Sequence, residues 1–252
     1  MVESKRREVE ALRCPEAVRR IEEALKTASP PRGFARALKK RGGYRIIAEM
    51  KRKSPSRGVL CAEYDPVRLG QAYEEGGAAA LSVLTDSEFF GGDLAHLAQA
   101  RGRSSLPALR KDFILDEIQI DESRAAGADA VLLIASILPP HGLVRLMHQA
   151  GDLGMEPLVE VHDAEELRRA ADSGAVLIGV NNRDLRSFRV NLRVSLDLAS
   201  ELPRGAVCVS ESGIATRRDL ELLSSAGYDA FLVGEALMSG GDPAARLKGW
   251  IS

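Results

Sequence analysis

Eight short apolar runs recur along the chain, centred near Ile47, Ser82, Ala108, Leu132, Val159, Ile178, Val207 and Leu232. Between them lie stretches with helical spacing, among them residues 65–75, 116–126, 164–171 and 217–225. Strand-length runs that alternate with helices predict βαβ units and a parallel sheet. A weak internal repeat sharpens this. Ala126-Gly127-Ala128-Asp129-Ala130 returns in outline as Ala226-Gly227-Tyr228-Asp229-Ala230, with looser copies at Gly76-Gly77-Ala78 and Ser173-Gly174-Ala175. In each copy a helix is expected to end on a left-handed glycine, with a strand following almost at once. Eight such units close into a barrel more naturally than they extend an open sheet, so the expected fold is α/β, a (β/α)8 TIM barrel. An open doubly wound sheet is the alternative, but no Gly-x-Gly-x-x-Gly follows the first run to support it.

Residues 1–43 fall outside that pattern. Val9, Leu12, Ala17, Ile21 and Leu25 have rough helical spacing among many charges. Pro30-Pro31-Arg32-Gly33 breaks the segment before a second short helix over 34–39. The chain therefore reads as one barrel domain, 1–252, with 1–43 as an N-terminal helical extension. That extension could cap the barrel bottom or lie as a lid over its mouth. The cationic run Lys39-Lys40-Arg41 leads from it into the first strand.

Composition narrows the function. A length of 252 residues suits a single closed barrel and can bury a sizeable core. A formal net charge of −1, with no basic tract among aromatics, argues against a nucleic-acid binder. Cys14, Cys61 and Cys208 are odd in number and form no pair motif, which favours reduced thiols and a cytoplasmic location. The first residues are polar, without the apolar core of a signal peptide, and no segment is apolar for long enough to span a bilayer. His96, His141, His148 and His162 lack metal-ligand spacing, so neither a metal nor another cofactor is expected.

Polar residues gather at the C-terminal ends of the predicted strands, where barrels place active sites. Glu49 and Lys51 alternate at the end of the first run and so face the same way. Lys53-Ser54-Pro55-Ser56 then forms a cationic, hydroxyl-bearing loop suited to an anionic substrate. Strand three ends in Arg110-Lys111-Asp112, five in Glu160, six in Asn181-Asn182-Arg183-Asp184, seven in Glu211-Ser212-Gly213 and eight in Gly234-Glu235. One such charge could be a structural ion pair. So many together point to chemistry, because buried charges are costly unless paired or used. Gly213 and Gly234 precede helical patterns over 214–223 and 236–238, and backbone N–H groups at such starts bind phosphate. Glu235 would repel a phosphate dianion there, so its side chain is expected to turn outward. Phe89-Phe90-Gly91-Gly92 is either core or a flap that carries a ring over a planar substrate.

Several segments together resemble the indole-3-glycerol-phosphate synthase family in its monofunctional form. They are Ile47-Ala48-Glu49-Met50-Lys51, Ser54-Pro55-Ser56, Leu84-Thr85, Phe89-Phe90-Gly91-Gly92 and Leu109-Arg110-Lys111-Asp112-Phe113, followed by Glu156-Pro157-Leu158-Val159-Glu160-Val161, Asn181-Asn182-Arg183-Asp184-Leu185 and Ser210-Glu211-Ser212-Gly213-Ile214. The likeness runs in order along nearly the whole chain, extension included. It departs at Glu235, where a small or hydroxyl residue is also common, and at Asp93, where a Gly-Ser pair is frequent.

The resemblance implies ring closure of 1-(2-carboxyphenylamino)-1-deoxyribulose 5-phosphate to indole-3-glycerol phosphate, with loss of carbon dioxide and water, as a step of tryptophan biosynthesis. It implies Lys111 as general acid, Glu160 as proton carrier in dehydration and Lys51 as holder of the anthranilate carboxylate. Glu49, Asn181, Glu211 and Ser212 would bind sugar hydroxyls and orient the lysines. Lys53, Ser54, Phe90, Leu132, Arg183, Gly213, Gly234 and Glu235 would contact substrate or its phosphate. The implied partner is a small phosphorylated molecule, with no nucleic acid and no membrane, for a monomer or alternatively a homodimer. Phosphoribosylanthranilate isomerase, a Schiff-base aldolase and a non-catalytic phosphate-binding barrel are the rival readings.

Overall fold

The computed structural model describes residues 1–39, 42–55, 57–61, 63–185 and 187–251; Lys40, Arg41 and Ser56, named above, lie outside them. Eight parallel strands form a closed barrel: β1 (Arg45–Met50), β2 (Ala80–Leu84), β3 (Ala108–Lys111), β4 (Ala130–Ile134), β5 (Glu156–Val161), β6 (Leu177–Asn181), β7 (Val207–Glu211) and β8 (Ala230–Val233). Closure pairs β1 with β8 in the register Arg45↔Ala230 to Ala48↔Val233. All eight expected runs are strands, although Ala108 and Val207 begin theirs rather than centre them. Strand alternation separates two apolar sets. Ile47, Leu109, Leu132, Leu158, Leu177, Val209 and Leu232 fill the barrel interior, while Ile46, Ala48, Leu81, Val83, Val131, Leu133 and Val159 meet the surrounding helices. Both faces are buried, which is why the runs read as continuously apolar.

The chain opens with α1 (Val2–Leu12), α2 (Pro15–Thr27) and α3 (Phe34–Leu38). After β1 come α4 (Pro66–Glu75), then α5 (Ser87–Phe90) and α6 (Leu94–Gly102), α7 (Glu117–Ala125), α8 (Pro140–Asp152), α9 (Ala164–Asp172), α10 (Arg193–Leu198), α11 (Arg217–Ser225), and finally α12 (Glu235–Met238) and α13 (Pro243–Ile251). Starts are set by side-chain caps. Asp65 accepts from Val67 and Arg68 N–H, and Asp116 with Gln119, and Thr216 with Asp219, form capping boxes. The Thr216 cap corrects one expectation: the helix after Gly213 begins at Arg217, not Ile214, so Gly213 sits in a loop rather than at a helix start.

The internal repeat has a physical basis. Gly77, Gly127, Gly174 and Gly227 have φ of 86°, 89°, 81° and 107°, each just after a helix. The aspartate two residues on, present in two copies, reaches a neighbouring strand. Asp129 Oδ2 accepts from Ala108 N–H and Asp229 Oδ2 from Cys208 N–H, both at 2.8 Å. Each repeat thus turns the chain, and in the two copies with an aspartate it also pins the neighbouring strand at the barrel base.

The N-terminal extension serves both ends of the barrel. α1 lies at the mouth, where Lys5 Nζ is 2.8 Å from Asp112 Oδ1 and 3.2 Å from Asp86 Oδ2, and Ser4 Oγ donates to Glu88. α2 runs along α7. α3 closes the base, with Phe34 and Leu38 fully buried among the first residues of the strands, including Ala80, Ala130, Leu177, Val207 and Ala230. Ala35 N–H donates to Glu156 Oε2 at 2.9 Å and Arg32 N–H to Asp129 Oδ1 at 2.7 Å. The two readings of the extension therefore apply to different helices within it.

Candidate active site

Alternation at the end of β1 brings Glu49 and the next inward residue, Lys51, together with Nζ 2.5 Å from Oε1. Across the mouth, Lys111 Nζ from the end of β3 is 3.0 Å from Glu160 Oε2 on β5 and 3.4 Å from Glu211 Oε2 on β7. Asn181 closes β6; its Oδ1 accepts from Arg183 N–H at 3.0 Å, and its amide favours the ionised form of Glu160. Arg110, between inward residues, points outward and binds Glu122 and Ser123 of α7. Two glycines make room for these carboxylates. A Cβ at Gly179 would fall on Glu211 Oε1, and one at Gly234 on Glu49 Oε1. Gly179 was not singled out from sequence, though a glycine inside an apolar strand is the usual mark of such a close approach.

Three carboxylates around two ammonium groups cannot share one charge state. Burial raises the Glu160 carboxyl, but Lys111, His162 and Asn181 outweigh it and hold Glu160 well below the usual carboxylate range. Glu49 is likewise held low, burial being outweighed by Lys51 and Lys111. Glu211 goes the other way. Burial and the charges of Glu160 and Glu49 overcome Lys111 and push it up to about 8. Burial would lower Lys111, yet Glu160, Glu211 and Glu49 keep it above the ordinary lysine value. Among the described residues no group of three His, Cys, Asp or Glu side chains is arranged to hold a metal ion.

Two adjoining cavities open on this cluster and share Glu49, Lys51, Arg183, Phe188, Ser212 and Leu232 as walls. The first also reaches Ser54, Phe90, Lys111, Leu132, Glu160 and Asn181, with Leu84, Phe113, Ile134, Leu185 and Met1 completing a largely apolar slot. The Phe90 and Phe113 rings lie 6.4 Å apart and tilted by 34°. The second cavity is bordered by Arg57, Gly213, Gly234 and Glu235. Ser212 stands between the two with φ of 67°, a left-handed non-glycine of the kind that recurs at functional sites. Phe188, also left-handed with φ of 57°, carried no recognisable sequence signal.

Two expected site residues sit differently from the sequence reading. Glu235 does not turn away from the cavity: it lies 2.9 Å from Arg57 and 3.7 Å from Arg183, because two guanidinium groups attract it. Lys53 lines neither cavity and instead donates to Glu88 O of α5 at 2.7 Å, tying the loop after β1 to the Phe90 flap.

Fold and site together define a (β/α)8-barrel protein whose mouth joins a lysine–carboxylate cluster to an arginine-bordered cavity. The family model described as indole-3-glycerol phosphate synthase matches residues 1–249, and the chain belongs to that family. A relative of that name from Chlorobium phaeovibrioides is 50% identical over 238 residues, covering 94% of this chain and 92% of its own. The corresponding protein of Chloroherpeton thalassium is 46% identical, over 95% of this chain and 93% of its own. "Indole-3-glycerol phosphate synthase 2" of Streptomyces coelicolor is 48% identical, over 92% and 90%. Among solved structures, 3-hexulose-6-phosphate synthase from Salmonella typhimurium superposes with a TM-score of 0.62 at 13% identity, over 82% of this chain and 96% of its own, a likeness of fold alone.

Proposed function

We propose that the protein closes the ring of 1-(2-carboxyphenylamino)-1-deoxyribulose 5-phosphate, releasing carbon dioxide and water to form indole-3-glycerol phosphate. The observation that carries this reading is the placing of Lys51, Lys111 and Glu160 around one apolar slot that opens directly into an arginine-bordered cavity. The slot, walled by Phe90, Phe113 and Leu132, takes the anthranilate ring. The second cavity takes the phosphate, against the backbone at Gly213 and Gly234 and the guanidinium of Arg183.

Lys51 holds the substrate carboxylate and so aligns the ring carbon with the ribulose carbonyl. As that carbon attacks, Lys111 gives a proton to the carbonyl oxygen. Its ammonium is kept fully charged by the surrounding carboxylates, and the carbonyl oxygen takes over a contact now made to Glu160 or Glu211. Loss of carbon dioxide follows, and in dehydration Glu160, ionised and within reach of Lys111, takes the proton from the carbon beside the ring nitrogen and gives it to the departing hydroxyl, which leaves as water. Glu49, Asn181, Glu211 and Ser212 orient the sugar hydroxyls and the two lysines. Met1 and α1 complete the wall above the slot, so the extension acts with the barrel as one unit. Free thiols at Cys14, Cys61 and Cys208 agree with a cytoplasmic setting. Mixing the purified protein with the substrate should produce indole fluorescence with saturation kinetics; no signal from well-folded protein would refute the activity.

A further inference from the structure

One partly buried titratable side chain near the mouth has no role in the ring closure or the dehydration. His162 follows β5 directly, two residues beyond Glu160, so the two side chains leave the strand on the same side. Its Nε2 lies 3.4 Å from Glu160 Oε1, and its Nδ1 lies 3.1 Å from Glu166 Oε2. The His162 backbone N–H donates to that same Glu166 oxygen at 2.9 Å. Glu166 is itself fixed in the first turn of α9, where its N–H binds the capping Asp163 at 2.8 Å.

The two oxygens of Glu160 are therefore divided. Oε2 faces Lys111 at 3.0 Å, and Oε1 faces the imidazole. Nδ1 is in hydrogen-bond contact with Glu166, while Nε2 meets Glu160 Oε1 at 3.4 Å without hydrogen-bond alignment, so a carboxylate beside each nitrogen favours the imidazolium form. Glu160 and Glu166 are the charged groups facing the ring. Burial would lower its affinity for the second proton, but these two carboxylates outweigh burial and push it up to about 10.

We propose that His162 is a positioning residue for the reaction: an imidazolium strapped to Glu166, it keeps Glu160 ionised and aimed at Lys111 and the reacting carbons. The inference rests on the proposed activity and on Glu160 as proton carrier. With the strap in place, Glu160 can turn neither toward α9 nor out of the mouth, and the cation on its far side keeps it unprotonated until substrate delivers a proton.

The test is the pH profile of kcat, with KM, for the wild type and for His162→Gln, His162→Arg, Glu166→Gln and Glu160→Gln. His162→Gln removes the cation, so the Glu160 carboxyl should move back toward its ordinary value. The acid limb of kcat should shift upward by about one pH unit, so that kcat on that limb falls roughly tenfold while the plateau above it stays near wild type. KM should change by less than about twofold, since a group acting on a proton carrier is felt in turnover. His162→Arg restores a cation and should recover the limb, while Glu166→Gln loosens the strap and should move it in the same direction by less. If His162→Gln does not fold, Glu166→Gln alone decides by the same limb. Wild-type turnover and an unmoved acid limb in His162→Gln, beside a slow Glu160→Gln, would overturn this inference and leave the function intact. Full turnover in Glu160→Gln would instead reject the assignment of the proton carrier, and a wild type unable to form indole would reject the activity.

Discussion

The two ends of the barrel bury charge in opposite ways. At the base, Asp129 is fully buried and fully occupied. It accepts from Arg32 N–H at 2.7 Å, Ala108 N–H at 2.8 Å and the Arg101 guanidinium at 2.9, 3.1 and 3.2 Å. At the mouth, Glu211 is 1% exposed, yet neither carboxylate oxygen has a hydrogen-bond partner among the described residues, and its contact is Lys111 at 3.4 Å. A buried polar atom without a partner costs free energy that a purely structural role would not justify. The base spends its charges on holding strands together. The mouth keeps part of its hydrogen-bonding capacity open, and a sugar with several hydroxyls is the kind of ligand that fills it.

If that contrast is right, substitutions at the two ends should separate turnover from stability. The largest effect is expected at Lys111→Ala, which should lower kcat by about 10²–10⁴-fold, the usual contribution of a positioned acid or base. The assay should be run below the melting temperature of the variant; turnover near wild type would remove Lys111 from the chemistry. Asp129→Ala should do the reverse. Stranding Arg101 and two backbone N–H groups should cost about 3–5 kcal/mol in denaturant unfolding, as broken buried pairs do, with kcat and KM unchanged while the protein is folded. A change in KM larger than the change in stability would mean that base and mouth are coupled.

A smaller effect should follow at Lys5→Met. Lys5 ties α1 to the loops after β2 and β3 through Asp86 and Asp112. Its ammonium is held above the ordinary value because these acids, with Glu8, outweigh burial. Loosening α1 should raise KM several-fold and alter kcat less, since lids act by sequestering ligand. A lower melting temperature with unchanged KM would make α1 a structural cover only.

Much of this contrast could be read from sequence because it rests on local rules. Strand alternation put Glu49 with Lys51, and the repeated glycine marked four of the turns at the base. Asp65 and Asp116 set helix starts within a residue or two of the expected positions, and of the two starts expected after Gly213, at 214 and at 217, the Thr216 cap selects the second. What could not be read depends on partners distant in the chain. Glu235 points at Arg57 and Arg183 because they stand opposite it in three dimensions. Similarly, nothing local says that Gly179 must clear space for a carboxylate on the next strand, or that His162 lies between two glutamates. Sequence alone offers the extension to one end of the barrel or the other; α2 is long enough to carry the chain from the mouth to the base, so it serves both.

The most direct test of the central claim, that charge at the mouth is held ready at a cost to stability, is a comparison of melts. Glu211 is raised from an ordinary value of 4.5 to about 8, so between those limits the folded protein binds a proton that the unfolded chain has released. Folding stability from this group therefore falls as pH rises through that window and is constant above it. Glu211→Gln cannot ionise. Its melting temperature relative to wild type should increase steadily from pH 4.5 to about pH 8 and then level off. Melts of the two proteins in parallel across that range measure the difference directly. A margin that stays flat or shrinks as pH rises would mean that Glu211 is a satisfied ion pair, and that the mouth is built no differently from the base.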